Sequence, residues 1–185
     1  VDVIEAGFAA ASPGDAEAVR RVAGEVEGPV FCSLSRANED DIRTAYGALQ
    51  STPNRRIHIF LSTSPIHRAA KLNMSADEVL ETAVRAVTYA RTLFDDVEFS
   101  AEDAIRTERE FLGDVMEAVA DAGATTLNIP DTVGYSTPDE IGAIFADIKR
   151  RDVQVSTIDR NTIRSFLAYL HAEGLSRASA ARKLA

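Results

Sequence analysis

The chain has 185 residues, 45% apolar and 26% charged, which is ordinary for a folded domain long enough to bury a core. Its net charge of −9 argues against non-specific nucleic-acid binding by the chain as a whole, and no apolar run approaches the roughly 20 residues of a membrane helix. The one cysteine, Cys32, rules out an internal disulfide and agrees with a reducing, cytoplasmic setting.

The first strand-like run is Val1 to Phe8. It opens without Met and without a basic segment ahead of an apolar one, so no secretory signal is read and upstream sequence is expected. Asp15 precedes Ala16-Glu17-Ala18-Val19 as a helix start. The second run, Pro29 to Leu34, holds Cys32 among apolar neighbours, where a buried thiol acting as a small hydrophobe is expected. Asn38 before Glu39-Asp40-Asp41-Ile42 marks the next helix start. After the third run, Arg56 to Ser62, Ser75 has Glu78 three residues on, the pattern of a capping box. The fourth run is Asp96 to Ser100. It is followed by Glu108 to Ala122, with Phe111, Leu112, Val115, Met116 and Val119 at three- and four-residue steps and a stop at Gly123. The fifth run, Thr125 to Ile129, leads to Thr137-Pro138-Asp139-Glu140, with proline at a first helical position. Asp152 to Ile158 has the composition of a further strand.

Short β-rich runs alternating with helical stretches predict βα units and a parallel sheet. Periodicity leaves a doubly wound sheet and a barrel both open. Gly7-Phe8-Ala9-Ala10-Ala11-Ser12 lacks the Gly-x-Gly-x-x-Gly turn of a dinucleotide fold. Polar clusters at nearly every strand end favour a barrel, whose loops line one site at the strand C-termini.

Those strand ends carry the candidate chemistry. Glu5 lies on the first; His58, Ser62, Thr63, Ser64 and His67 follow the third; Glu98, Ser100, Glu102 and Asp103 follow the fourth; Asn128, Asp131, Thr132 and Tyr135 follow the fifth. Alternation puts His58, Phe60 and Ser62 on one face and pairs Glu98 with Ser100 on another. Taken alone, Glu98 reads better as a helix-capping carboxylate and His67 better as a loop or first-turn residue, while Asp131-Thr132 reads equally as a turn and N-cap.

Four stretches together resemble the 2-isopropylmalate synthase family: Ile4-Glu5-Ala6-Gly7-Phe8 with Ala10 to Asp15; Arg56-Ile57-His58-Ile59-Phe60 with Ser62 to His67; Asp96-Val97-Glu98-Phe99-Ser100 with Glu102-Asp103-Ala104; and Asn128 to Tyr135. The likeness covers about residues 1 to 150. It implies a partial (β/α)8 TIM barrel, five parallel strands of it here, and an acyltransferase that condenses acetyl-CoA with a 2-oxoacid in leucine biosynthesis. By the resemblance Glu98 is the catalytic candidate, and His58, Thr132 and Glu5 are substrate-binding candidates. Its partners would be the 2-oxoacid and acetyl-CoA, with a homo-oligomer left open.

The resemblance also implies a divalent metal, held in that family by an Asp after an Arg on the first barrel strand and by a His-x-His pair on the seventh. Neither pattern occurs here, and His58, His67 and His171 contain no i, i+2 pair. No metal cofactor is therefore expected in this chain, because its carboxylates lack imidazole partners, and the isolated chain is expected to be inactive.

The end of the sequence differs. Arg160, Arg164, Arg177, Arg182 and Lys183 stand against Glu173 alone, a basic tail on an acidic body. Thr162 to Ala172, Gly174 as a stop, and Ser176 before Arg177 to Ala185 predict a helical hairpin. Ile163 to Leu170 with Gly174 to Leu184 resembles the DNA-clasping helical domain of tyrosine recombinases. The expected organisation is a barrel segment over 1–155 and a fused hairpin over 156–185. The alternative function is a non-catalytic chain that binds DNA or protein through this tail.

Overall fold

The computed structural model describes residues 1–134, 136–151 and 153. Five strands, β1 (Val3–Gly7), β2 (Val30–Arg36), β3 (Arg55–Ser62), β4 (Asp96–Glu102) and β5 (Thr126–Asn128), form one sheet in sequence order, with every neighbouring pair parallel. Helices α1 (Pro13–Glu25), α2 (Glu39–Ala48), α4 (Ala76–Arg91), α5 (Arg109–Asp121) and α6 (Pro138–Arg150) alternate with the strands; a helical turn, α3 (Pro65–His67), runs into a π-helical turn over Arg68–Leu72. This is the α/β barrel-segment architecture read from the sequence, without the strand-order reversal of a doubly wound sheet. The predicted hairpin tail, its basic cluster, and all but Val153 of the run from Asp152 to Ile158 lie outside the described residues.

The two faces of each strand have opposite chemistry. Ile57, Ile59 and Leu61 on β3 and Val97, Phe99 and Ala101 on β4 are buried against Val79, Ala83, Val87 and Ala90 of α4 and Leu112, Val115, Met116 and Val119 of α5. The opposite face of the same strands carries Arg56, His58, Phe60 and Ser62, whose register partners are Asp96, Glu98, Ser100 and Glu102. In a parallel barrel that second face points inward.

Several boundaries differ from the sequence reading, and three of them have a clear local reason or a consequence for the site. Helix α1 begins at Pro13, because Ser12 is its cap: the Ser12 hydroxyl accepts from the Asp15 backbone N–H at 3.1 Å and donates to the Asp15 carboxylate at 2.6 Å. Asp15 belongs to the first turn. Strand β4 continues two residues past Ser100 and brings Glu102 opposite Ser62. Strand β5 shrinks to three residues, since the Thr125 hydroxyl accepts the Val97 N–H at 2.9 Å and donates to Asp96 at 2.6 Å. The caps read at Asn38, Ser75 and Thr137 are all present, the last two as full capping boxes.

Candidate active site on the inner face of the sheet

The polar inner face divides into two levels. The first is midway along the strands. Arg56 donates from Nε to Asp96 at 2.9 Å and from Nη1 to Glu98 at 3.2 Å. The His58 ring lies between Glu5, whose carboxylate is 2.5 Å from Nδ1, and Ser100, whose hydroxyl is 2.6 Å from Nε2. Asn128 donates to Ser100 at 2.8 Å. One consistent proton arrangement runs from the Asn128 amide to Ser100, from the Ser100 hydroxyl to His58 Nε2, and from His58 Nδ1–H to Glu5. Glu98 approaches the ring only to 3.8 Å. Cys32 is buried within this level, and burial first, then the charges of Glu98 and Glu5, push its thiol pKa well above the ordinary range.

The second level is at the C-terminal ends of β3 and β4. Lys71, from the π-helical turn, donates to both oxygens of Glu102 at 2.9 and 2.6 Å and to Ser62 at 3.1 Å, while Ser62 donates to Glu102. Burial works to raise the Glu102 pKa, but the hydrogen bonds from Lys71 and Ser62 and the charges of Lys71 and His67 outweigh it and hold the carboxyl below the usual range. One residue on, Asp103 adopts the left-handed conformation at φ 64°. Its backbone N–H donates to Thr132 at 2.9 Å, and its buried carboxylate accepts from Arg106 Nε at 2.7 Å. Burial opposes ionisation of Asp103 too, and the Arg106 hydrogen bond, the nearby Ser64 hydroxyl and the charges of Arg106 and His67 overcome it.

The four residues nominated from the sequence thus fall into two places. Glu5, His58 and Glu98 meet at the middle level. Thr132 stands with Asp103, and Asp103 follows Glu98 by five residues along the chain, roughly 16 Å at strand rise. Glu98 caps none of the described helices; it pairs with Arg56. Asp131 is a turn residue, accepting from the backbone of Gly134 at 3.0 Å and Ser136 at 2.9 Å. His67 closes α3, whose cap is Ser64. Lys71 and Arg56 were not singled out: Lys71 comes from a turn without strand periodicity, and Arg56 reads as an ordinary strand-entry charge. The expectation that the carboxylates lack imidazole partners is corrected for Glu5, since His58 lies within hydrogen-bond distance of it across 53 residues of chain.

The chain matches the HMGL-like family over residues 1–160. It belongs to that family. It is 58% identical over 151 residues to a 2-isopropylmalate synthase of Brevibacillus brevis and 58% identical over 148 residues to one of Aquifex aeolicus, covering 82% and 80% of this chain. The chain spans only 30% and 28% of those relatives. Its fold is also that of the HMG-CoA lyase of Bacillus subtilis, with a TM-score of 0.60 at 18% identity over 82% of this chain and 53% of the lyase. No helix among the described residues is long and apolar enough to cross a membrane.

At the C-terminal strand ends, where the reacting groups of a barrel gather, the described residues do not fit the divalent Lewis acid implied by the synthase resemblance. Both Glu102 oxygens already face the Lys71 ammonium. At the same end, His67 Nδ1 and Asp103 Oδ2 are buried 3.7 Å apart without hydrogen-bond partners, but the Arg106 guanidinium beside Asp103 disfavours a second cation. Glu5, Cys32 and His58 bring a ligand atom each within 4.8 Å of one another at mid-strand, below that level, and their mixed oxygen, sulfur and nitrogen set does not suit an oxygen-demanding ion such as Mg²⁺.

Proposed function

We propose that the chain carries part of the active site of a 2-isopropylmalate synthase-type acyltransferase of leucine biosynthesis. In that reaction a base removes a methyl proton of acetyl-CoA, the resulting enolate forms a C–C bond with the keto carbon of a 2-oxoacid, and water releases CoA from the thioester. The observation that carries this reading is the 58% identity over 151 residues to a 2-isopropylmalate synthase, of which the chain spans 30%.

The strand-end level supports it chemically. Glu102 is an ionised carboxylate where a barrel's reacting groups gather. Lys71 offers a cation to a 2-oxoacid carboxylate, and the Thr132 hydroxyl belongs to the next loop of the same end. We assign substrate contact to Thr132, Lys71 and Glu102. His58 and Glu5 form the floor beneath them. Glu98, the sequence-nominated catalytic residue, is assigned to positioning through Arg56, because its partners lie midway along the strands. No step assigned to this chain runs through a metal.

Calorimetric titration of 2-oxoisovalerate into the chain tests the assignment. Weak saturable binding that is lost in Lys71→Met and Thr132→Ala is expected, with no release of CoA when acetyl-CoA is added. Undetectable binding, or binding indifferent to both substitutions, refutes it. We also treat residues 1–155 as the barrel unit and 156–185 as an appendage. Limited proteolysis should leave a stable product near 1–155, and early cleavage inside β3 or β4 would contradict that division.

A further inference from the structure

We propose that Glu5, Cys32 and His58 form a three-ligand site for a borderline transition-metal ion of the Zn²⁺ class, separate from the strand-end groups assigned to the condensation.

Three strands supply one ligand each. Glu5 is the centre of β1, Cys32 pairs with it in register on β2, and His58 lies on β3 beside Leu34 of β2. The carboxylate, the thiol sulfur and a ring nitrogen all lie within 4.8 Å of one another. A tetrahedral ion with bonds of about 2.0 to 2.3 Å holds its ligands roughly 3.4 Å apart, so the Glu5 carboxylate and His58 Nδ1, now 2.5 Å apart, open by about 1 Å, and the contacts to sulfur close by about 1.4 Å or less. Glu5 has room to do this, since its side chain is 47% exposed, whereas His58 and Cys32 are fixed by packing.

The mixed set of oxygen, nitrogen and sulfur selects the ion. Thiolate and imidazole suit Zn²⁺ or Co²⁺ and disfavour Mg²⁺, which demands oxygen ligands. The outer contacts agree with a ligating histidine. Ser100, itself held by Asn128, stands where it can accept from Nε2–H, and in that tautomer the unprotonated Nδ1 faces Glu5 and is free to ligate. Nearby charge favours a dication as well, because Glu5, Asp96 and Glu98 stand against Arg56 alone. Binding converts the Cys32 thiol to thiolate and releases its proton to solvent. Three protein ligands leave a fourth position for water.

The test is a titration of the chelator-stripped full chain with Co²⁺ and then Zn²⁺, followed by absorption. One equivalent of Co²⁺ should produce a thiolate-to-cobalt charge-transfer band in the near ultraviolet, and Zn²⁺ should abolish it by displacement. Cys32→Ser should remove the band, and Glu5→Gln should weaken Co²⁺ binding at least tenfold. The double variant His67→Asn with His171→Asn should keep both band and affinity. Co²⁺ binding to the wild type without the band overturns the proposal, as does an unchanged affinity in Glu5→Gln. Because the wild-type band alone reports sulfur ligation, the result does not depend on the folding of Cys32→Ser. This readout is also independent of whether the chain binds a 2-oxoacid.

Discussion

Asp103 is the position where backbone and charge effects can be separated most cleanly. Its carboxylate is 1% exposed and accepts the Arg106 Nε–H at 2.7 Å, and its backbone is left-handed at φ 64°, ψ 37°. A charge-assisted hydrogen bond contributes about 1.5 to 3 kcal/mol; with Arg106 at 28% exposure the lower end applies. The left-handed region costs an alanine about 1 to 2 kcal/mol, which Asn and Gly largely escape. Asp103→Asn should therefore lose about 1.5 kcal/mol, and Asp103→Ala about 3. Asp103→Gly should fall between them. Urea unfolding of the three variants gives the order directly. Acid adds a second readout. The folded pKa of Asp103 is depressed, so its contribution is fully present above the unfolded value near 3.9 and is lost as pH falls through the folded value. The gap between wild type and Asp103→Asn should stay constant from about pH 7 to 5 and shrink below about 4. An alanine variant as stable as the glycine variant would refute the backbone argument, and a gap that widens in acid would refute the charge argument.

Ser12→Ala should destabilise by about 1 kcal/mol in urea unfolding, because Ser12 caps α1; a neutral result would return the helix start to Asp15. Phe99→Ala, at a fully buried site, should cost about 3 to 5 kcal/mol, and a loss under about 1 in the same assay would mean that the sheet does not pack on α4 and α5 as described. The Cys32 thiol should react with a neutral aromatic disulfide at pH 8 far more slowly in the native chain than in urea, since burial and the Glu98 and Glu5 charges keep it protonated. Comparable rates in the two states would contradict its burial.

The parallel order of the strands was legible because each apolar face alternates cleanly, as in Ile57, Ile59 and Leu61, and because the caps at Asn38, Ser75 and Thr137 are local patterns. Contacts between strands were not. Glu5 and His58 meet across 53 residues, and the pairing depends on register, which no single run encodes. Ser12 and Asp15 are both cap-type residues, and only Pro13, pre-set for a first helical position, separates the two readings.

The placement of Glu98 and Glu102 shows how strand arithmetic limits an assignment made by motif. Both carboxylates lie on the inner face, since they are four residues apart and side chains repeat every two. A face argument therefore cannot choose between them. Height can, because four residues of strand span roughly 13 Å, and reacting groups in a parallel barrel gather at the C-terminal ends. The sequence reading ended β4 at Ser100, which made Glu98 look terminal. Two further rungs, Leu61 with Ala101 and Ser62 with Glu102, move the end of the strand to Glu102 and leave Glu98 paired with Arg56 below. Glu102→Gln and Glu98→Gln should then differ in kind. The first should abolish the contact with Lys71 that holds a charged strand-end cluster, and so alter 2-oxoacid binding in calorimetry. The second should lower stability toward urea by about 1 to 2 kcal/mol through its partly buried ion pair, leaving binding within about twofold once the folded fraction is taken into account. Equal effects of both on binding would mean that the two levels act as one site and that height along the strand does not decide the role.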